Sequence, residues 1–330
     1  MTEQKAYLGL DVAKLKIDVC LLQPGKGRQR MLIGNSLQGF QKLLQWLSEL
    51  RVDLSTIHAS FEPTGNYSNA LGYFLHAQGI KISRVHSYAV LNHRRSQNLR
   101  SKTDMIDAYL LADYTCKNKP PLWVPPTKIQ TDLKELQHRL ASIDEAIRQE
   151  RSRLEAGVAC EAVQADIEES LGELLARQIK LEKALQELVQ SDDRLAADFK
   201  ILDSIIGIGT KSALRMLALV QFEKFQSGRQ VGCFAGLSPR EEQSGTSVKG
   251  KEVISKIGSP ELRSSLYFPA MVAMQHNPQL REFAERLEAK GKPKKVIICA
   301  IMRKLLVLAH TLLRRREFYD ANHTGRLKPA

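Results

Sequence analysis

Asp11, Glu62, Asp104 and Asp107 are the residues of this chain best suited to chemistry. Asp11 interrupts an apolar run, Tyr7-Leu-Gly-Leu-Asp-Val, and Glu62 ends another, Thr56-Ile-His-Ala-Ser-Phe-Glu. Asp104 and Asp107 are three apart, a spacing that puts both on one side of a helix. Between positions 63 and 103 there is no acid, while Lys81, Arg84, Arg94, Arg95, Arg100 and Lys102 are basic. Carboxylates closing a basic stretch suit a divalent metal held against phosphate. Hard Mg2+ takes oxygen ligands, and two such ions about 4 Å apart can stabilise both the attacking and the leaving oxygen of a phosphodiester. Singly, each acid has a plainer reading as a solvated side chain. Their order and their elements together point to metal, in the manner of a ribonuclease-H-like fold.

Two more stretches carry chemical character. Ile205-Ile-Gly-Ile-Gly-Thr-Lys-Ser-Ala213 sets two glycines between apolar helical residues, the hairpin pattern of a helix-hairpin-helix unit. There Gly207 and Gly209 would let the backbone approach a phosphate, which free N–H groups at the next helix start would bind. An ordinary tight turn between helices is the alternative. Further on, Gly236-Leu-Ser-Pro-Arg-Glu-Glu-Gln-Ser-Gly-Thr-Ser-Val-Lys-Gly-Lys251 is rich in small polar residues and reads as a flexible loop. Within it, Ser244 could attack phosphate if cations or metal stabilised its alkoxide, since no His-based triad is evident. Serines in Gly-rich loops are also ordinary turn formers.

The elements that must position these groups follow from periodicity. Residues 6–12 and 17–22 read as the strands of a hairpin, with a third strand near 30–33. Phe40, Leu43, Leu44 and Leu47 recur at helical spacing. The strand ending at Glu62 is followed by a Pro63-Thr-Gly65 breaker, a helix over 69–77, and a strand over 80–85 after Gly79. Antiparallel strands first and strand–helix alternation afterwards imply a mixed α/β sheet with helices on its faces. Pro120, Pro121, Pro125 and Pro126 mark the end of this domain, at residue 125. Over 126–198, Leu133, Leu136, Leu140, Ile143 and Ile147, then Leu171, Leu174, Leu181, Leu185 and Leu188, follow a three-four spacing, with a turn near Gly157. They predict two long helices, forming either a coiled-coil arm or a pair packed on the body of their own subunit. From 199 to 330 the chain reads as helical and basic. Residues 286–328 hold 12 Lys and Arg against three acids, and an amphipathic helix over 296–313 has cations at Lys294, Lys295, Arg303, Lys304 and Arg314 to Arg316. Phosphate contact is expected there, a solvated face being the alternative.

Composition narrows the function classes. The 330 residues carry a net charge of +13, and a basic surface gains affinity for a polyanion by releasing condensed counterions. Residues 132–198 hold 16 acids against 9 Lys and Arg, so the remainder carries +20 and is expected to hold the nucleic acid. The five cysteines are isolated, which argues against a disulfide framework or a zinc site. The N-terminus leads straight into a strand rather than a signal peptide, and no apolar run approaches the ~20 residues of a bilayer span. A soluble intracellular protein is expected. A sugar-kinase or actin-like ATPase also opens with Gly-x-Asp, but this chain has no second phosphate-binding Gly-rich turn and the wrong charge.

The set Gly9-x-Asp11, Glu62-Pro-Thr-Gly65, Lys102-Thr-Asp104-x-x-Asp107, Ile205 to Gly209 and Ala235-Gly-Leu-Ser-Pro-Arg…Ser244-Gly-Thr-Ser-Val-x-Gly250 resembles the DEDD transposases of the IS-one-ten insertion-sequence family, recombinases guided by a bridge RNA. Phe268-Pro-Ala-Met-Val-Ala273 and Gly291-Lys…Met302-Arg-Lys304 resemble it too, so the likeness spans essentially the whole chain. It implies a RuvC-like domain over 1–125, a coiled-coil region over 126–198, and a mainly helical transposase domain over 199–330. It places the metal-binding tetrad on Asp11, Glu62, Asp104 and Asp107 and the nucleophile on Ser244. Mg2+ or Mn2+, a covalent phosphoserine link to DNA, and an active site composed from different subunits are implied as well. So are a structured non-coding RNA pairing with donor and target DNA, and a homo-oligomer in which dimers assemble into a tetramer. Strands would exchange through a Holliday-junction-like intermediate, in a prokaryotic cytoplasm at the nucleoid. The nucleic-acid contacts expected are Arg94, Arg95, Arg100, Lys102, Gly207, Gly209, Lys211, Lys249, Lys251, Lys294, Lys295, Arg303 and Lys304. Two features depart from the family pattern: Ile206 stands where relatives often have Pro, and Glu241 and Glu242 crowd Ser244. Ser247 is the other serine on that loop. A RuvC-like nuclease or junction resolvase without a covalent intermediate shares the tetrad but leaves the loop unexplained. A non-catalytic scaffold is at odds with four retained acids.

Overall fold

The computed structural model describes residues 6–63, 65, 67–98, 103–240, 243–244, 248–249 and 253–322, with the backbone alone at 243, 244, 248 and 249. The chain divides into two compact units, Met1–Pro126 and Thr127–Ala330.

In the first unit, strands β1 (Ala6–Val12), β2 (Lys16–Gln23) and β3 (Gly27–Gly34) form an antiparallel meander. Helix α1 (Leu37–Glu49) and strand β4 (Ile57–Phe61) follow, then α2 (Asn69–Ala77), β5 (Lys81–Arg84), α3 (Ser87–Ser96) and α4 (Asp104–Asn118). The sheet order is β3-β2-β1-β4-β5, with β4 parallel to β1 and β5 parallel to β4. This is a mixed sheet, as expected from the sequence, and its order suits the ribonuclease-H-like fold expected there. Strand alternation sorts the side chains. Leu8, Leu10, Val12, Ile17, Val19, Leu21, Ile57, Ala59 and Phe61 form one face, buried with Phe40, Leu43 and Leu47 of α1 and Leu71 and Leu75 of α2. Gly9, Asp11, Asp18, Ser60 and, one residue past β4, Glu62 belong to the opposite face, which α4 covers.

Gly9 explains how closely α4 approaches. A Cβ there would sit 1.9 Å from the Ala108 carbonyl oxygen and 2.5 Å from the Ala112 nitrogen, so only glycine admits the helix. Buried hydroxyls complete the seam: Thr115 donates to Ser60 Oγ at 2.6 Å, and Ser60 to the Leu111 carbonyl at 3.1 Å. The proline-rich stretch after α4 also belongs to the sheet edge. Trp123 donates its backbone N–H to the Ile82 carbonyl at 2.6 Å and packs edge-on against Phe61 and Tyr73.

The second unit opens with α5 (Lys128–Ala156) and α6 (Glu161–Gln190). They pack antiparallel, with Gln178 of α6 donating to Asp144 of α5 at 2.6 Å. Near their outer termini, Leu133, Leu140, Leu185 and Val189 join one core with the helices that follow. Those are α7 (Asp193–Asp203), α8 (Thr210–Leu219), α9 (Gly228–Phe234), α10 (Pro260–Ser265), α11 (Tyr267–His276), α12 (Pro278–Ala289) and α13 (Lys294–Arg315). Two small ladders interrupt the helices: β6 (Pro239–Arg240) pairs with β9 (Val253–Ile254), and β7 (Gln243–Ser244) with β8 (Val248–Lys249). The stretch read as a loop therefore contains a β excursion.

One expectation fails on α13. By length and composition this 22-residue helix could cross a membrane, contrary to the reading that no apolar run is long enough. Its apolar residues instead fill the core: Ile297, Ile301, Leu305, Leu306 and Ala309 are all buried. Apolar on nearly every side, it is what a helix surrounded by other helices must be.

Candidate active site

Register builds the site from β1 outward. Asp11 lies directly across the hairpin from Asp18. On the other side Leu10 pairs with Phe61 in parallel register, so Glu62 follows beside Asp11. Asp104 opens α4 above this face. Thr103 caps that helix, its hydroxyl accepting from the Ile106 N–H at 3.3 Å. Asp104 and Asp107 occupy the first turn, where the helix dipole favours negative charge.

The electrostatics report the crowding. Burial pushes the Asp11 carboxyl up to about 6, and the charges of Asp104, Glu62 and Asp18 add to the effect, opposed by Lys16. Two cations moderate the cluster. Lys16 donates to Asp104 Oδ2 at 2.6 Å and lies 3.5 Å from Asp18 Oδ2. Arg94, from α3, pairs with Asp107. Beside them α3 is fixed to α4 by His93, whose Nε2 lies 2.7 Å from Asp113 Oδ2, and Lys117 reaches the same carboxylate at 2.8 Å. Asp113 would be raised by its burial, but hydrogen bonds from Lys117, His93 and Gln97 outweigh this and hold it below the usual carboxylate range.

An all-carboxylate donor set suits a hard divalent cation, and Asp11, Glu62 and Asp104 are near enough to repel one another. Among the described residues no three Asp, Glu, His or Cys side chains yet converge as a metal-holding group. Asp104 and Asp107 instead face Lys16 and Arg94. The motif reading missed Asp18, Lys16 and the Arg94–Asp107 pair. Counting outward from the hairpin turn would have found the first two, since residues 16 and 18 share a face and 18 falls opposite 11.

The other expected site residues fall as follows. Ser244 lies in β7, its backbone paired with Val248, and Lys249 lies in β8 opposite Gln243. Arg100, Lys102, Glu241, Glu242, Ser247 and Lys251 lie outside the described residues. Arg95, Lys294 and Lys295 are exposed. Lys304 is partly buried, and this burial, with the charges of Arg286 and Arg303, lowers its pKa. At the glycine hairpin, the bare face of Gly207 meets α11: a Cβ would lie 2.5 Å from that of Ala273, at a φ of +106°. Around Gly209 there is open space. Lys211 pairs with Glu182 of α6 at 2.7 Å, and Arg215 pairs with Asp144 of α5. Gly207 thus serves close helix packing, and both neighbouring cations are engaged by the acidic helix pair.

Comparison with known proteins agrees with these motifs. A transposase model of the DEDD IS110 type matches residues 8–158, and one described as Transposase IS116/IS110/IS902 family matches residues 199–285. The pilin gene-inverting protein of Moraxella bovis is 33% identical over 318 residues, covering 96% of this chain and 98% of its own. The protein of the same name from Moraxella lacunata is 32% identical over the same shares. A solved structure of T. thermophilus RuvC in complex with Holliday junction substrate covers 36% of this chain and 99% of its own, at 10% identity and a TM-score of 0.27. That likeness is too distant to bear on the fold, which rests on the strand order. The chain belongs to the IS116/IS110/IS902 family of transposases, enzymes that act on DNA.

Proposed function

We propose that this transposase exchanges DNA strands through a covalent phosphoserine intermediate, with Ser244 as nucleophile and Asp11, Glu62, Asp104 and Asp107 holding Mg2+ or Mn2+. The observation that carries the reading is the gathering of Asp11, Glu62 and Asp104 on the α4 side of one sheet, in a chain whose family motifs include the Ser244 loop. Metal bound there would offset the charge that develops on the phosphate oxygens in the transition state. Ser244 Oγ forms a bond to phosphorus as one backbone P–O ester bond breaks, and the departing sugar oxygen takes up the proton that serine loses. The phosphoserine keeps the energy of the broken ester, so rejoining needs no ATP.

The finer parts of the reading rest on the family resemblance and on charge. A structured bridge RNA selects donor and target DNA, consistent with a broadly basic chain that reads backbone and A-form shape. The α5–α6 pair serves as a coiled-coil arm joining subunits, as dimers and then a tetramer, while the tetrad domain, arm and serine domain divide near 125 and 198. The cations at the start of α13, and the open side of Gly209 in the hairpin before α8, contact phosphate, in the cytoplasm at the nucleoid.

The test is Ser244→Ala with radiolabelled donor DNA on a denaturing gel. Wild type is expected to leave a protein–DNA adduct, and the variant neither adduct nor cleavage. An adduct that persists in the variant sinks Ser244. Free cleaved ends from wild type, with no adduct, would instead indicate hydrolysis by a RuvC-like nuclease.

A further inference from the structure

The acids that open α4 are met by two cations from different elements. Lys16 is the first residue of β2 and shares a sheet face with Asp18, two positions on. Its ammonium bridges Asp104 Oδ2 at 2.6 Å and Asp18 Oδ2 at 3.5 Å. Arg94 reaches Asp107 from α3, both side chains being largely buried at 16% exposure. Each positive charge therefore sits on a carboxylate that the tetrad would offer to a metal. The two pairs differ in how firmly they are held. Lys16 and Asp104 are half exposed, at 49% and 56%, and such a pair is weak and screened by salt. A divalent ion brings twice the charge and a strong preference for carboxylate oxygen.

We infer that Lys16 is a stand-in cation, a positioning residue that neutralises Asp104 and Asp18 in the metal-free chain and must give up Asp104 when divalent metal binds. Arg94, anchored through α3, holds Asp107 in the same way but less exchangeably. This rests on the proposal that the tetrad binds metal. Its physical content is a competition: the ammonium and the metal contend for one carboxylate, so each lowers the other's hold on it. An ion pair that merely decorates the surface would leave metal affinity unchanged, and one needed only for folding would weaken it when removed.

The experiment is a Mn2+ titration of the full-length chain free of nucleic acid, with unbound Mn2+ read from its paramagnetic resonance signal. Lys16→Met is expected to bind Mn2+ about three- to tenfold more tightly than wild type, a gain that shrinks at high salt because the lost competitor is exposed. Lys16→Arg, which keeps the charge, should return affinity to the wild-type value. Unchanged or weaker binding by Lys16→Met overturns the inference while leaving the metal site standing. Asp11→Asn is the control on that site. If it binds Mn2+ as wild type does, the tetrad is not the metal site, and the inference falls with it.

Discussion

Asp11 supplies a quantitative test of the crowded site, because its burial, with the repulsion of nearby acids, should make the protein more stable when the charge is removed. Its carboxyl is pushed up from 3.8 to about 6, first by burial and then by Asp104, Glu62 and Asp18. Between those values the folded chain keeps a proton that the unfolded chain has lost, so stability falls as pH rises through that window and stays low above it. A rise of that size corresponds to about 3 kcal/mol. Partial exposure of the carboxylate screens this, leaving about 1–2 kcal/mol. Asp11→Asn should therefore stabilise the first unit by that amount at pH 7.5 in chelator. With a urea m-value of about 2 kcal/mol/M, the middle of the usual range, the midpoint should rise by roughly 0.5–1 M. The chain has two tryptophans, and both Trp46 and Trp123 pack in the first unit, so intrinsic fluorescence follows that unit alone. The gain should shrink steadily from pH 6 to pH 4. Mg2+ or Mn2+ should raise the wild-type midpoint and leave the variant unmoved. A variant no more stable than wild type at pH 7.5 would refute the reasoning.

Two further outcomes follow from packing. Gly9→Ala drives a methyl into the α4 backbone, and should cost about 3 kcal/mol or more, read as a lower fluorescence midpoint with DNA cleavage lost as Asp104 and Asp107 shift. Asp113→Asn weakens the bonds from His93 and Lys117 and should cost about 2–3 kcal/mol at neutral pH. Because Asp113 is held below its usual range, that stability is present above an unfolded pKa of ~3.9 and lost as pH falls through the lower folded value. The two proteins' urea midpoints should therefore converge in acid.

Much of the first unit was legible because its signals are local. The β1–β2 hairpin, the helix over 69–77 and the helix carrying Asp104 follow from alternation, flanking breakers and the three-residue spacing of the acids. Helix α3 was not legible: its ten residues bury Val90 alone, so it shows no apolar stripe, and it docks through Val90 against Leu110 and Leu111 together with the His93–Asp113 and Arg94–Asp107 pairs. Lys16 and Asp18 escaped because motif order says which acids recur but not which side chains face one another. That is a matter of register, set by the turn. In the second unit, strands of two residues have no period to detect. Gly207 carried an ambiguous signal, since close approach to a phosphate and close approach to a helix demand the same missing Cβ.

Helix α13 also has a consequence for the order of synthesis. The first unit owns a complete core by residue 126 and can close while translation continues. The second cannot: α7, α9, α11 and α12 all pack on a helix that begins at Lys294. At about 5–20 residues per second, the ribosome needs roughly 10–30 s to cross the intervening chain. By the end of that interval α7, α9, α11 and α12 have been made but lack the helix they pack on. A message broken before the codons for α13 would yield a folded first unit joined to an unfinished second unit.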